Sequence, residues 1–298
     1  MKSRNFLSMD NLTKEDIEHI LQKALIYKEN VVNYSESLKD KNIISIFFEN
    51  STRTRTSFEL AAKKMGANVI NIDYQKSSMQ KGETDLDTIT NLNAMHPDAF
   101  VIRHFYSGYP MFISKISDVP VINAGDGSNE HPSQAMLDLM TMYETKQRIE
   151  NLNVCIIGDI LNSRVAKSHM KMAKKLNWNL SIYGPKTMLP KQEWINGIKI
   201  ENSLTDAIKN KDFIILLRIQ LERKSGSNLS SLQEYSRFFG LRSETTIPSE
   251  TYIMHPGPVN RDIEISSDLL DTHNNILVTK QVQNGIFARM AIYDFCLN

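Results

Sequence analysis

Short apolar runs alternate with helical patterns along almost the whole chain. The runs cover residues 43–48, 68–72, 99–103, 119–124, 153–157, 179–183, 198–200, 212–217, 252–255 and 275–278. Each reads as a buried strand. Between them apolar residues recur at helical spacing. Ile17, Ile20, Leu21, Ala24 and Leu25 follow Thr13 and Asp16, a capping pair; Ser203 and Asp206 form another. Phe58, Ala61, Ala62 and Met65 share one helix face, as do Met136, Leu139, Met140 and Tyr143. Strands alternating with helices argue for parallel sheets covered on both faces. These are many strands for one sheet, and 298 residues suffice for two domains. The expected fold is therefore α/β: two doubly wound parallel-sheet domains joined by interdomain helices. The first is expected over 1–132 and the second over 133–284. A helix over 133–144 bridges them, and a final helix over 285–298 returns to the first. The polar, Ser-rich stretch 223–242 is expected to be a mobile loop.

In open α/β sheets, ligands bind beyond the carboxyl ends of strands. The unusual residues of this chain fall there repeatedly. Ser51-Thr52-Arg53-Thr54-Arg55 follows the first run and opens a helix. Arg103 ends the third run, and residues 125–134, with His131 and Gln134, follow the fourth. Arg164, Arg218 with Gln220, and His255-Pro256-Gly257-Pro258 follow later runs. Two arginines and three hydroxyls at a strand-to-helix turn suit a phosphate, because free N–H groups and the helix dipole attract anions there. A serine capping the helix beside solvated arginines fits the same pentad.

Composition restricts the function. Hydrophobic residues make up 41% and charged residues 23%, as in globular proteins, and the net charge is +1. No global basic field is available for nucleic acid, so anion binding must come from locally placed cations. No signal peptide is expected from the first residues, and no membrane-length apolar run occurs. Cys155 and Cys296 lie in apolar surroundings and read as buried thiols, which fits a cytoplasmic compartment.

The motifs at 51–55, 131–134, 218–220 and 255–258 occur in an order that resembles the carbamoyltransferases, over residues 47–290. Within that family the chain looks most like the branch that accepts L-aspartate. The resemblance implies a carbamoyl-phosphate-binding first domain, an L-aspartate-binding second domain, and carbamoyl transfer to the aspartate amine. It implies no metal or organic cofactor. Ser51, Thr52, Arg53, Thr54 and Arg103 match positions that hold the phosphate. Thr54, Arg103 and His131 match donors to the carbonyl oxygen, where negative charge develops. Gln134 matches a contact to the carbamoyl group, and the Pro256-Gly257 backbone matches a loop touching its nitrogen. Gly257 departs from the apolar residue often found there, which implies a looser loop. Arg164, Arg218 and Gln220 match the aspartate contacts, and arginine forks suit its two carboxylates. Arg55 is expected in a structural role, with Glu83 or Glu49 as partner.

The polar segment 76–84 reads by itself as an exposed loop. In the family, such a loop enters a neighbouring subunit's site; Ser77 and Lys81 match its functional positions, which implies a homotrimer with shared sites. Regulatory chains are left open. His131 precedes Pro132, a good first helical residue, so a neutral imidazole at a helix N-terminus is expected. No dedicated base for the amine stands out, and the departing phosphate can take its proton.

Four other readings fit less well. Ornithine carbamoyltransferases carry a His-Cys-Leu-Pro motif and a Ser-Met-Gly loop, and neither occurs here. The turn at Gly158 lacks the G-x-G-x-x-G of a dinucleotide site. A non-catalytic paralogue would not need Arg53, Lys81, Arg103, His131, Arg164 and Arg218 together. Seven histidines occur, but none at the spacing of a metal hydrolase.

Overall fold

The computed structural model of the chain describes residues 4–73, 84–195, 197–219 and 231–298. The chain divides into two compact units, Met1–Met140 with Gln283–Asn298, and Thr141–Val282. Ser77, Lys81 and Gln220 lie outside the described residues.

The first unit holds β1 (Asn42–Phe47), β2 (Asn68–Asp73), β3 (Ala99–His104) and β4 (Val121–Asp126). All are parallel, in the order β2-β1-β3-β4. Ile43, Ile44 and Ile46 of β1 and Phe100, Val101 and Ile102 of β3 are all buried. A strand covered on both faces has no polar side, which is why these runs read as continuous apolar stretches. Around the sheet lie α1 (Lys14–Glu29), α2 (Thr52–Lys64), α3 (Asp85–Asn93) and α4 (Tyr109–Ile113). Thr13 and Asp16 form the capping box of α1, whose Ile17, Ile20, Leu21 and Ala24 are buried. Leu25 is half-buried, and Tyr27 takes the next buried place. Ile44, Ile102, Ile113 and Val121 belong to one core cluster. Phe6 lies along β4: its N–H donates to the Val121 carbonyl (3.0 Å), and its carbonyl accepts from the Asn123 N–H (2.8 Å). The contact satisfies part of an otherwise open sheet edge.

The second unit holds β5 (Asn153–Ile157), β6 (Asn179–Tyr183), β7 (Lys199–Ile200), β8 (Phe213–Leu216) and β9 (Tyr252–Met254). They are again parallel, in the order β7-β6-β5-β8-β9. Its helices include α6 (Arg164–Lys175), α7 (Leu204–Ile208), α8 (Leu232–Phe239) and α9 (Ser267–Thr272). Cys155, Ile157, Ile214, Leu216 and Ile253 anchor its core.

Two helices run from one unit into the other, α5 (Pro132–Lys146) and α10 (Val278–Leu297). Residues 132–142 are all buried. A helix buried all round carries no amphipathic edge to mark a domain boundary. The division between units accordingly falls inside α5.

Two expectations need correction. Residues 275–278 form no strand: Ile276 makes only an isolated bridge to Ile253, and α10 begins at Val278, well before Gly285. The described part of the Ser-rich stretch is not a loop, because Ser231 accepts from the Glu234 N–H and starts α8. Tyr235 of α8 is buried against Met188 and Ile219, an apolar face too short to stand out among polar neighbours.

Candidate functional site

In each sheet the chain winds outward in both directions from its first strand. The switch points therefore lie between β1 and β3, and between β5 and β8. Ligands of open α/β sheets bind beyond the carboxyl ends of strands at such points. The sequence-selected arginines fall at both. Residues 51–55 follow β1, and Arg103 lies near the end of β3. Arg164 opens the helix after β5, and Arg218 follows β8.

In the first unit, Ser51 is the N-cap of α2, yet its side chain makes no capping bond. Thr13, Thr84, Ser163, Ser203, Ser231 and Ser266 do cap their helices. A purely capping serine does not describe Ser51. Thr52 and Arg53 are exposed, while Thr54 is buried. Arg103 Nε donates to Glu49 Oε1 at 2.7 Å, and its Nη1 donates to the Ala124 carbonyl (3.3 Å) and Thr54 Oγ1 (3.4 Å). The guanidinium is thus fixed between the segment after β1, β4 and α2. Since the Thr54 hydroxyl accepts from Arg103, its proton can be donated elsewhere. Glu49 serves Arg103, and the Arg55 guanidinium lies over the Phe47 ring, 5.2 Å from its centroid. Glu83 lies outside the described residues.

His131 immediately precedes α5 and is buried; its Nδ1 lies 3.4 Å from Ser133 Oγ. Gln134 Nε2 donates to Asp138 Oδ1 at 3.0 Å, one helical turn on. Behind these groups lies the buried Arg289 of α10. Its guanidinium sits 4.9 Å from the Phe58 ring and donates to the Gly285 carbonyl at 2.8 Å. Burial lowers its pKa to about 10, against the pull of Asp138. A Cβ at position 285 would lie 2.7 Å from Arg289 Nη1, so glycine makes room for the guanidinium.

His104, beside Arg103, is stacked on Tyr109 with ring centroids 3.7 Å apart. Burial lowers its pKa to about 4, although Asp85, Glu49 and Asp126 pull the other way. Its Nδ1 accepts from the Tyr106 N–H at 2.8 Å, and Nε2 lies 3.9 Å from Asp85.

In the second unit, Arg164 is the first residue of α6 and is buried; Ser163 caps that helix. Arg218 is half-buried. Next to it, the Ile219 N–H donates to Glu264 Oε1 at 2.8 Å. Glu264 also accepts from the Asn260 N–H (2.6 Å) and Asn260 Nδ2 (2.8 Å). His255 Nε2 lies 3.7 Å from Glu264, and His255 Nδ1 accepts from the Gly257 N–H at 2.8 Å. One buried carboxylate therefore ties the segment after β8 to the segment after β9. Gly257 has φ +64°, a left-handed conformation that favours glycine.

Several supporting residues escaped the sequence reading. Asp138 had a signal, since it lies four positions after Gln134 on an expected helix. Glu49, expected as a partner of Arg55 and not of Arg103, lies two positions before the pentad. Glu264 had none, because only the fold brings it to Ile219.

Comparison with known proteins decides the family. Residues 4–144 match the model described as aspartate/ornithine carbamoyltransferase, carbamoyl-P binding domain. Residues 150–296 match its Asp/Orn binding domain. The chain belongs to the aspartate/ornithine carbamoyltransferase family. Relatives in this family include the aspartate carbamoyltransferase catalytic subunit of Campylobacter hominis, 48% identical over 98% of this chain and 96% of the relative. That of Caldicellulosiruptor bescii is 45% identical over 98% and 97%. Among solved carbamoyltransferases, aspartate transcarbamoylase from Trypanosoma cruzi, in complex with carbamoyl phosphate and aspartate, superposes with TM-score 0.90. It is 25% identical, with 100% of this chain and 98% of that one covered. The M. Jannaschii aspartate transcarbamoylase catalytic subunit gives TM-score 0.83 at 35% identity, covering 97% and 96%. Ornithine carbamoyltransferase from Pyrococcus furiosus gives 0.87 at 26%, covering 99% and 97%. The backbone alone therefore does not separate the two acceptors.

Proposed function

We propose that the protein is an aspartate carbamoyltransferase catalytic chain. It transfers the carbamoyl group of carbamoyl phosphate to the amine of L-aspartate, giving N-carbamoyl-L-aspartate and phosphate, an early step of pyrimidine synthesis. The observation that carries this reading is the pair of arginine-bearing switch points, one per unit, in a chain whose relatives at 40–48% identity are aspartate carbamoyltransferases.

The phosphate is held by Ser51, Thr52, Arg53 and Thr54 at the start of α2, with Arg103 beside them. The uncapped first turn and the helix dipole favour its charge. Thr54, Arg103 and His131 donate to the carbonyl oxygen as the amine attacks. The C–N bond forms, the C–O bond to phosphate breaks, and the amine proton leaves with the phosphate. Positioning and oxyanion stabilisation then supply most of the acceleration. Gln134 and the Pro256-Gly257 backbone hold the carbamoyl nitrogen end. Arg164 and Arg218, with Gln220, take the two carboxylates of aspartate.

The working enzyme is a cytoplasmic homotrimer in which Ser77 and Lys81 complete a neighbour's site, and regulatory chains are a possible addition. An aromatic cluster supports the self-association. Phe105, Tyr106 and Phe112 are exposed around the His104–Tyr109 stack. Asp85, just beyond the segment that carries Ser77 and Lys81, faces His104. Such a patch suits burial against another chain. No helix among the described residues is long and apolar enough to cross a membrane.

Steady-state kinetics with both substrates test the assignment. Arg53→Ala is expected to cut kcat and weaken carbamoyl phosphate, and Arg218→Ala to raise chiefly the KM for aspartate. The reverse split would refute the placement of the two substrates.

A further inference from the structure

Asp138 touches no substrate in this scheme, yet its position has a chemical consequence. Gln134 and Asp138 lie one turn apart on α5, and both are buried. Their bond runs between Gln134 Nε2 and Asp138 Oδ1 at 3.0 Å. A carboxylate accepts hydrogen bonds, whereas a glutamine amide can both donate through its nitrogen and accept through its oxygen. Facing Asp138, the amide must turn its nitrogen inward to the carboxylate. Its oxygen is then the end left to meet a ligand.

The carbamoyl group has the same asymmetry. Its nitrogen only donates, and its carbonyl oxygen only accepts. An amide presenting oxygen recognises the nitrogen end and leaves the carbonyl to Thr54, Arg103 and His131. A flipped amide would set two NH2 groups against each other, and it would reward the carbamoyl group for turning its carbonyl away from those donors.

We propose that Asp138 is a positioning residue that fixes the orientation of the Gln134 amide, and through it the orientation of the carbamoyl group. The proposal rests on the carbamoyl phosphate site described above. Arg289 supports it from behind. This buried cation is attracted to Asp138.

The test reverses the polarity of the pair. Asp138→Asn keeps the shape but offers an NH2, which the Gln134 oxygen can accept, so the amide is free to flip. Its kcat/KM for carbamoyl phosphate is expected to fall roughly 10- to 100-fold, the scale of one lost and one mismatched buried hydrogen bond. Inhibition by inorganic phosphate, which has no carbamoyl end, is expected to change by less than about threefold, within ordinary surface-mutation scatter. The double variant Gln134→Glu with Asp138→Asn restores an acceptor toward the ligand and keeps the pair's single negative charge. It is expected to recover at least about tenfold over Gln134→Glu alone, which crowds two carboxylates.

An Asp138→Asn enzyme equal to wild type would overturn the proposal. So would parallel losses for carbamoyl phosphate and inorganic phosphate, which would mark a merely structural role. If Asp138→Asn does not fold, the comparison of the double variant with Gln134→Glu decides, and no recovery counts against the idea. A wild-type protein that makes no carbamoyl-aspartate would instead remove the underlying site assignment.

Discussion

Arg103 shows how a functional side chain is prepared before any substrate arrives. Its Nε is bonded to Glu49 and its Nη1 to Ala124 and Thr54, so little orientation entropy remains to be lost on binding. Glu49→Gln weakens the strongest of these, a charge-assisted bond, and is expected to lower kcat roughly tenfold with the KM for aspartate little changed. Unchanged kcat would show that Glu49 does not hold Arg103. Arg53→Ala removes a cation from the phosphate turn, and kcat/KM for carbamoyl phosphate should fall by roughly 100-fold or more. His104 makes a separate prediction about pH. Its folded pKa of about 4 lies below the ordinary 6.5, so the fold favours the neutral ring. Its contribution is fully present above about 6.5, and is lost as pH falls through about 4. The difference corresponds to about 3 kcal/mol at most. His104→Phe should therefore lose less stability than wild type between pH 7 and pH 4.5 in urea titrations; equal losses would remove His104 as a source of acid sensitivity. The residues facing substrate were legible because cations and hydroxyls after apolar runs are conspicuous. The groups that hold them were less so, since Glu49 and Asp138 look like ordinary surface acids until the fold pairs them with Arg103 and Gln134.

At the scale of elements, parallel strands left the clearest trace. Runs such as 153–157 and 179–183 coincide with β5 and β6, because burial on both faces makes the whole strand apolar. The run at 275–278 misled for the same reason: Ile276 and Leu277 are apolar, but they lead into α10 and make a single bridge. Helix α8 was hidden by its serines, one of which is its cap. The segments after β8 and β9 are joined by Glu264, which accepts from Ile219 and Asn260 beside His255. Glu264→Gln exchanges an acceptor for a donor in the middle of this buried network. It should shift the Arg218 segment and raise the KM for aspartate roughly tenfold, the scale of a broken buried hydrogen bond, with carbamoyl phosphate affected less. An unchanged KM would mean that the segment is held by other contacts.

At the scale of the whole molecule, the two-unit layout followed from strand count and alternation. The position of the division did not, because α5 is buried through residues 132–142 and gives no change of pattern where one unit ends. Assembly is the other molecular-scale property. Chains carrying Lys81→Ala, mixed with chains carrying Arg53→Ala, should regain part of the activity that each lacks alone if sites are shared between subunits. No recovery in verified mixed trimers would show that each chain completes its own site. The central claim concerns the acceptor, since aspartate and ornithine carbamoyltransferases both superpose on this backbone. The direct measurement is a product assay with purified protein and carbamoyl phosphate, offering L-aspartate and L-ornithine side by side. Carbamoyl-aspartate without citrulline is the expected result. Citrulline in its place would contradict the assignment of Arg164 and Arg218 to the carboxylates of aspartate.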